Sequence, residues 1–213
     1  LYLNNDSLIR VESTMRTKSG NKDRDIANAA IKVFARDGFH GARITRIAEE
    51  AGVATGSVYL YFKNKESILH HLFFEIWQRI RDQFMGVVSR TDITPREKLE
   101  ELVDRIFALF SRNPSLALVF VNEQHHLVRE GTAEFMKYYE DFLKLTEDVI
   151  RDGVKKGQFR KDVDARVFSN FVFGGMRQLL QHWARSQKEF PLNSIRQGIR
   201  IIAIQGILKT PTT

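Results

Sequence analysis

The sequence predicts an all-α protein of about nine helices, with an N-terminal three-helix domain and a C-terminal helical bundle. Apolar residues recur at helical spacing along most of the chain. Helix caps, glycines and prolines separate these periodic segments, as is typical of helix ends. No segment shows the alternation and hairpin turns of paired strands.

The first two helices follow from their apolar faces and their end signals. The first is predicted over residues 25–37, because its apolar residues share one face and Gly38 follows it. The second is predicted over residues 45–51, with Thr45 as its cap. Gly52 ends the second helix, since glycine takes the left-handed conformation without a Cβ penalty.

A third, short helix is predicted to start near Thr55, and it carries the apolar Val58 toward a small core. Two short helices joined by a tight glycine turn make a helix-turn-helix, whose second helix enters the major groove of DNA. The alternative is a helical hairpin in an ordinary all-α core, without a nucleic acid.

Capping signals predict six further helices. Asn64 caps a fourth helix that reaches about Arg90 and is long enough to belong to both domains. The fifth begins with a capping box formed by Thr94 and Glu97, with Pro95 at the first helical position. The other four are predicted over about 115–128, after Gly131, after the cap Asp162, and from Asn193 or Ser194 to near Leu208.

Residues 44–69 closely resemble the DNA-binding signature of the TetR family of transcriptional repressors. We therefore expect a flexible basic arm over residues 1–21, a helix-turn-helix DNA-binding domain over 22–66, and an effector-binding and dimerisation domain over 67–213. The matching positions are Thr45, Ile47-Ala48, Ala51-Gly52-Val53, Gly56, Val58-Tyr59, Tyr61-Phe62, Lys65-Glu66 and Leu69.

The family motif implies which side chains contact DNA. Tyr59, Tyr61 and Lys65 are expected to contact phosphates. Arg46 is the best candidate for reading guanine, because the recognition helix contains no Arg, Asn or Gln for bidentate base contacts. Arg46 as a solvated surface arginine is the alternative. The predicted DNA-binding set is Thr45, Arg46, Ala54, Thr55, Gly56, Ser57, Tyr59, Tyr61 and Lys65.

The formal net charge of +7 favours a polyanionic partner, either nucleic acid or an acidic membrane surface. The basic residues of the N-terminal arm reach DNA phosphates or the minor groove in one interpretation, and belong to a solvated tail in the other. The alternative function is a basic all-α module that acts at membrane surfaces or as a non-specific interaction protein.

The composition argues against an enzyme. The chain has no Cys, which excludes disulfides, thiolate zinc sites and Cys nucleophiles. It carries no recognised catalytic motif, so no enzyme activity and no cofactor are expected. Glu123 and His126 share a helical face, but a di-iron site would need a second copy of this motif, so no metal is expected. No segment has the ~20 apolar residues of a membrane span, and a cytoplasmic protein without a membrane partner is expected.

In the TetR family the C-terminal domain binds a small effector between its helices. Residues 153–183 are similar to the matching part of regulators that sense fatty acyl-CoA, which implies a long apolar ligand whose anionic head meets Arg177. The alternatives are that the aromatic residues only fill the core and that Arg177 forms an interfacial salt bridge. The predicted ligand-binding residues are Phe107, Phe110, Phe120, Tyr139, Phe142, Phe171 and Arg177.

The family resemblance also implies a homodimer. The last two helices are apolar over much of their circumference, and Gly174-Gly175 would permit a close helix crossing. Burial against the chain's own domain is the alternative. The predicted interface residues are Met176, Leu179, Trp183, Ile199 and Ile202. The expected function is a repressor that binds a pseudo-palindromic DNA operator as a dimer and is released by a small, largely apolar effector.

Overall fold

A computed structural model describes residues 22–124, 126 and 133–208 of the 213-residue chain. Within these ranges the protein consists of nine α-helices, and an isolated bridge between Phe159 and Leu208 is the only strand-like pairing there. The predicted all-α fold is confirmed. The helices are α1 Lys22–Gly41, α2 Ile44–Ala51, α3 Thr55–Val58, α4 Lys65–Val88, α5 Pro95–Phe110, α6 Pro114–Asn122, α7 Ala133–Lys155, α8 Ala165–Arg185 and α9 Leu192–Ile207.

The N-terminal helices follow the predicted plan with two corrections. Helix α1 begins at Lys22, and Gly38 with φ 70° and ψ 163° interrupts it before a last turn that reaches Gly41. Thr45 does not cap α2: the helix already begins at Ile44, and its N-terminal cap is the extended Arg43, which makes no side-chain capping bond. The left-handed end of α2 at Gly52, with φ 67°, is as predicted.

The long helices begin where side-chain caps can hold their first amide groups. Asn64 accepts a hydrogen bond from the Ser67 amide at 2.8 Å, and the Ser67 hydroxyl oxygen accepts one from the Asn64 amide at 3.2 Å. Thr94 and Glu97 form the same reciprocal box at the start of α5. These two predicted caps are confirmed.

The caps of the last two helices differ from prediction. Asp164, not Asp162, caps α8 by accepting from the Val167 amide at 2.8 Å. Asp162 instead forms two hydrogen bonds with the Arg160 guanidinium, which lowers the pKa of its carboxyl to about 2. Helix α9 begins at Leu192, before either predicted cap, because Pro191 with φ −63° already has the backbone geometry that a helix start needs. Helix α6 ends at Asn122, and residues 125 and 127–132 of its predicted continuation lie outside the described residues.

The C-terminal core is aromatic and centred on Trp77 of α4. The Trp77 side chain is almost fully buried, and the centroids of four other rings lie 5.5–6.3 Å from its own. These rings belong to Phe120 of α6, Tyr139 and Phe142 of α7, and Phe173 of α8. Helix α4 packs on α1 at one end and on α5 and α7 at the other, while α6 packs on both α1 and α8. The two domains therefore meet through α4 and α6.

The described helices include none whose length and apolar character would allow it to cross a membrane.

Candidate functional site

The recognition helix α3 rests on a small buried core and exposes most of its polar surface. Val58, Ile47 and Ala48 are almost fully buried between α2 and α3. Thr55 and Ser57 are partly exposed. The residues of the predicted DNA-binding set that are exposed are Thr45, Arg46, Ala54, Gly56, Tyr59 and Tyr61. These residues lie on α2, in the turn between α2 and α3, on α3 and in the turn after it, as a helix-turn-helix interface requires.

Arg46 is held only loosely. Its guanidinium lies 3.0 Å from a carboxylate oxygen of Glu49, and both side chains are 64% exposed. An exposed ion pair of this kind contributes little stability. Arg46 can therefore exchange its carboxylate partner for a base edge or a phosphate.

Lys65, a predicted phosphate contact, makes hydrogen bonds within the protein. Its ammonium group donates to the carbonyl oxygens of Phe39 at 2.8 Å, His40 at 3.1 Å and Ala42 at 3.3 Å. It also lies 4.8 Å from the centre of the Phe39 ring. A lysine ammonium has three protons, so these carbonyls use all of its donors. Lys65 thus satisfies the free carbonyls at the end of α1, where a positive charge is also favoured by the helix dipole.

Phe39 connects the N-terminal domain to α6. Its amide donates to Glu123 at 3.4 Å, and the other carboxylate oxygen of Glu123 lies 3.2 Å from His126 Nε2. The His126 ring packs against the Phe39 ring with centroids 4.7 Å apart. We call Phe39, Lys65, Glu123 and His126 the Phe39 junction. Glu123 and His126, considered above as metal ligands, are contacts between domains.

Arg177 is a cation in the interior of the C-terminal domain. One of its terminal nitrogens donates to the Val121 carbonyl at 3.0 Å, while its Nε is buried without a hydrogen-bond partner. Burial lowers the pKa of Arg177 and, for the neighbouring Tyr139 hydroxyl, raises the pKa. Within the described part of this single chain no carboxylate pairs with Arg177, and the alternative of an interfacial salt bridge stays a prediction.

Two openings adjoin α8, and Arg177 lines neither of them. A cavity of about 20 Å³ beside Ser169 is enclosed by helices α4, α5, α7, α8 and α9, and has room for about one water molecule. A groove of about 540 Å³ that opens to solvent runs between α7 and α8 and reaches Tyr139, whose hydroxyl is 3.5 Å from Asn170. Arg166 and Glu140 also line this groove, with opposite charges.

The six aromatic residues of the predicted ligand-binding set fall into three groups. Phe142 lines the Ser169 cavity and Tyr139 lines the groove. Three others, Phe107, Phe110 and Phe120, are buried in the core but line neither opening. Phe171 is 71% exposed, which contradicts its predicted place in the interior. Phe171 lies two residues from the buried Phe173, and this spacing turns its side chain to the opposite, exposed face of α8.

The predicted interface residues divide between the two faces of α8 and α9. Met176 and Trp183 are 5% and 4% exposed and face the chain's own core, so they are not surface contacts. Ile202 is 63% exposed, and with Leu179 and the nearly buried Ile199 it lines an apolar groove of about 330 Å³. The exposed apolar surface of α8 that the prediction missed consists of Val167 and Phe171.

Three functionally placed residues were not among the predicted sites: Phe39, Trp77 and Ser169. Phe39 directly follows the helix-ending Gly38, a position that favours a side chain packed across the turn. Trp77 lies on the apolar stripe of α4, and its size makes it the natural centre of a core. The burial of Ser169 could not be predicted from the sequence. Serine occurs at both exposed and buried positions of helices, and only the fold shows which of these Ser169 occupies.

Two family models match the chain. "Bacterial regulatory proteins, tetR family" covers residues 26–72, and "Tetracyclin repressor-like, C-terminal domain" covers residues 92–203. A curated relative, the fatty acid metabolism regulator protein of Bacillus subtilis (strain 168), is 27% identical over 186 residues, which span 87% of this chain and 95% of that protein.

Two solved structures are also similar. The fatty acid degradation regulator FadR from Bacillus halodurans has a TM-score of 0.74 and 29% identity, covering 89% of this chain and 97% of that one. The transcriptional regulator FadR from Bacillus subtilis, in complex with stearoyl-CoA, has a TM-score of 0.69 and 28% identity, covering 86% and 98% of the two chains. Together with the exposed recognition helix, the matches over both domains show that the chain belongs to the tetR family of bacterial transcription regulators.

Proposed function

We propose that this chain is a dimeric repressor that binds a pseudo-palindromic operator and leaves it when a long-chain fatty acyl-CoA, or another largely apolar anion, occupies the C-terminal domain. The observation that carries the effector class is Arg177, a partly buried cation with an unpartnered Nε at the edge of an aromatic interior. The regulators named above, one of them in complex with stearoyl-CoA, support the same class.

Arg177 suits the head of such a ligand. A buried donor without a partner costs free energy in the ligand-free protein, and a carboxylate, phosphate or thioester oxygen would relieve that cost. The solvent-filled groove at Tyr139 supplies a route from the surface toward this cation. The aromatic residues Tyr139 and Phe142, with Phe173 and Trp77 beside them, would surround the apolar body of the ligand.

Entry of an acyl chain requires the core to rearrange. The Ser169 cavity has only about 20 Å³ of open space in this form, far below the volume of a small-ligand site. A ligand that binds must therefore displace rings of the aromatic core. Such a ligand binds the rearranged packing of the C-terminal domain better than the packing in this structure. It therefore shifts the equilibrium toward the rearranged form.

A chain of contacts leads from Arg177 to the DNA-binding domain. Arg177 donates to the Val121 carbonyl near the end of α6. Glu123, two residues later, accepts a hydrogen bond from the Phe39 amide. The Phe39 carbonyl in turn accepts from Lys65 at the start of α4, close to the recognition helix. A ligand that draws Arg177 away from Val121 would release the end of α6 and disturb the Phe39 junction.

The proposed DNA contacts are the predicted set without the Lys65 ammonium group. Thr55 and Ser57 face the bases with Ala54 and Gly56, Arg46 reads a base edge, and Thr45, Tyr59 and Tyr61 contact phosphates. In the dimer, two recognition helices must lie about 34–36 Å apart, or a multiple of this, to enter successive major grooves. A shift of a few ångströms in this spacing weakens one half-site, which is how the effector lowers operator affinity.

The dimer is proposed to form through the exposed apolar surface of α8 and α9. Val167, Phe171 and Ile202 are 63–71% exposed, an unusual state for three large apolar side chains on adjacent helices. Gly174 lies on the same side of α8, and a Cβ atom there would meet nothing within 4 Å in a single chain. Its lack of a side chain would instead let the helix of a second copy approach closely.

The test is titration of operator DNA by fluorescence anisotropy with and without saturating stearoyl-CoA. We expect stearoyl-CoA to lower operator affinity by about 5–150-fold, the usual range of such coupling, and operator DNA to lower stearoyl-CoA affinity by the same factor. Arg177→Met should weaken stearoyl-CoA binding, while Arg185→Met, at an exposed arginine at the end of α8, is the control and should not. If stearoyl-CoA binds without changing operator affinity, the switch is wrong. If it does not bind, a long-chain fatty acyl-CoA is not the effector.

A further inference from the structure

The buried side of α8 carries a second polar group without a hydrogen-bond partner among the described residues, in addition to Arg177. Ser169 is 2% exposed, and its hydroxyl makes no hydrogen bond to any described residue. A serine inside a helix ordinarily donates to the carbonyl four residues earlier or points to solvent, and Ser169 does neither. A buried hydroxyl without a protein partner is available to a ligand that enters the cavity beside it.

The surroundings of Ser169 are otherwise apolar. The cavity beside it is lined mainly by Phe, Leu, Val and Met side chains. Its one other hydroxyl belongs to Thr146, which already donates to the Phe142 carbonyl at 3.5 Å. The Ser169 hydroxyl is thus the polar atom that this cavity offers to a ligand.

Ser169 and Arg177 lie at the two ends of a stripe of α8 that turns by about 80° around the helix axis. They are eight residues apart, with the buried Phe173 halfway between them, so their backbone positions are separated by about 12 Å along the helix axis. Each end of the stripe therefore has an unsatisfied polar group, and the interval between them is filled by aromatic rings. A ligand that followed this stripe would meet a cation, an apolar interval and a hydroxyl.

We infer that the effector carries a second oxygen, a hydroxyl or a carbonyl, about 12 Å from the head that Arg177 binds, and that Ser169 recognises it. The ligand class is an oxygenated amphiphile, such as a fatty acyl group hydroxylated or oxidised in mid-chain, in preference to a plain saturated chain. The inference rests on the proposed function, because Arg177 must bind the head.

Selectivity is expected because the Ser169 hydroxyl is hydrogen-bonded in the complex with an oxygenated ligand but not in the complex with a saturated one. A saturated chain that fills the cavity leaves the hydroxyl buried and unpaired, whereas an oxygenated chain pairs it. Sites with buried polar groups discriminate against ligands that lack the complementary group for this reason. One neutral hydrogen bond contributes about 0.5–1.5 kcal/mol net, so the expected preference is up to about 10-fold.

The experiment compares stearic acid with hydroxystearic acids whose hydroxyl is moved one carbon at a time through the middle of the chain. Binding to the full chain is measured by calorimetry, with each compound used as the free acid and as the CoA thioester to identify which head Arg177 prefers. We expect one or two adjacent positional isomers to bind up to about 10-fold tighter than the saturated compound. Their advantage should disappear in Ser169→Ala and persist in Ser111→Ala, an exposed serine at the end of α5.

A ligand-free measurement shows whether the variant still folds. Ser169→Ala removes an unpaired buried hydroxyl, so its melting temperature should equal or exceed that of the parent chain. If the saturated compound binds and no isomer is preferred, or if Ser169→Ala keeps the preference, the inference is overturned and the proposed function stands. If neither the acids nor the thioesters bind, both fail.

Discussion

The DNA-binding surface and the effector interior of this protein are built in opposite ways. The proposed DNA contacts are mostly exposed side chains on a buried framework, with Val58 and Ile47 fully buried beneath them. In the C-terminal domain, by contrast, Arg177 and Ser169 keep unpaired polar atoms inside an aromatic core. A contact on the first surface can change without altering the fold, whereas filling the second site must alter packing. In the proposed mechanism the interior site is therefore the one that drives the conformational change.

Between the two sites the connection uses main-chain atoms. Phe39 donates its amide to Glu123 and accepts Lys65 at its carbonyl, so it links α6 to the start of α4 whatever its own side chain does. Its ring adds contacts with Lys65 and His126. The Phe39 junction thus belongs to neither site and lies between the helices that carry them.

The largest effect should come from breaking the dimer at Ile202. Ile202→Asp places a charge on an exposed apolar surface, so the chain should fold as a monomer and lose the gain from binding two half-sites together, about 100-fold or more in operator affinity. Analytical ultracentrifugation and anisotropy measure the two effects. Ile201→Asp is the matched control, because Ile201 lines a different groove, between α5 and α9. A dimeric Ile202→Asp variant would place the interface elsewhere.

Lys65→Met should affect stability more than DNA binding. It removes three hydrogen bonds from a charged donor to the carbonyls at the end of α1, and a bond of this kind contributes about 1.5–3 kcal/mol. We expect a lower denaturation midpoint and an unchanged salt dependence of operator binding.

Lys63→Met is the matched control for Lys65. Lys63 is exposed and has no partner within the described ranges, so it is free to contact phosphate. Its loss should leave stability unchanged and lower the slope of log affinity against log salt by about 1. The reverse assignment of the two effects would restore Lys65 as the phosphate contact.

Arg46→Ala tests whether the recognition surface reads bases with an exposed arginine. We expect a loss of about 1–3 kcal/mol on the operator, with relaxed preference at one position in each half-site. Glu49→Gln removes the present partner of Arg46 and should not weaken binding, since the exposed pair contributes little. Competition against variant operators measures the preference. An equal loss on all sequences would make Arg46 a phosphate contact.

The sequence predicts features that depend on local geometry better than features that depend on contacts formed only in the fold. Gly52, Asn64 and Thr94 act through local geometry, so the helix ends that they form were predicted correctly. The sequence could not show which face of α8 is buried and which is exposed. Met176 and Ser169 are buried and Phe171 is exposed, and this difference depends on how α8 is oriented in the fold. The intramolecular partners of Lys65 could not be predicted, since the carbonyls at residues 39, 40 and 42 come from a chain segment that meets Lys65 only in the fold.

The smallest expected effect concerns the route of coupling, for which the structure offers two candidates. Phe84 of α4 lines the Ser169 cavity, so a ligand there could move α4 directly. Arg177 instead reaches the DNA-binding domain through α6 and the Phe39 junction. If the second route operates, Glu123→Ala should reduce the ligand–operator coupling by about 0.5–2 kcal/mol, because it removes the acceptor of the Phe39 amide.

Glu123→Gln is the matched control, since it keeps an oxygen acceptor for the Phe39 amide and should keep most of the coupling. The measurement is operator affinity with and without stearoyl-CoA for the parent and both variants, together with stearoyl-CoA affinity with and without operator. The two coupling factors of each variant must agree by linkage, which checks the data internally. Coupling that is unchanged in Glu123→Ala would assign the signal to α4, because the contact between Phe39 and α6 would then be broken without consequence for the switch.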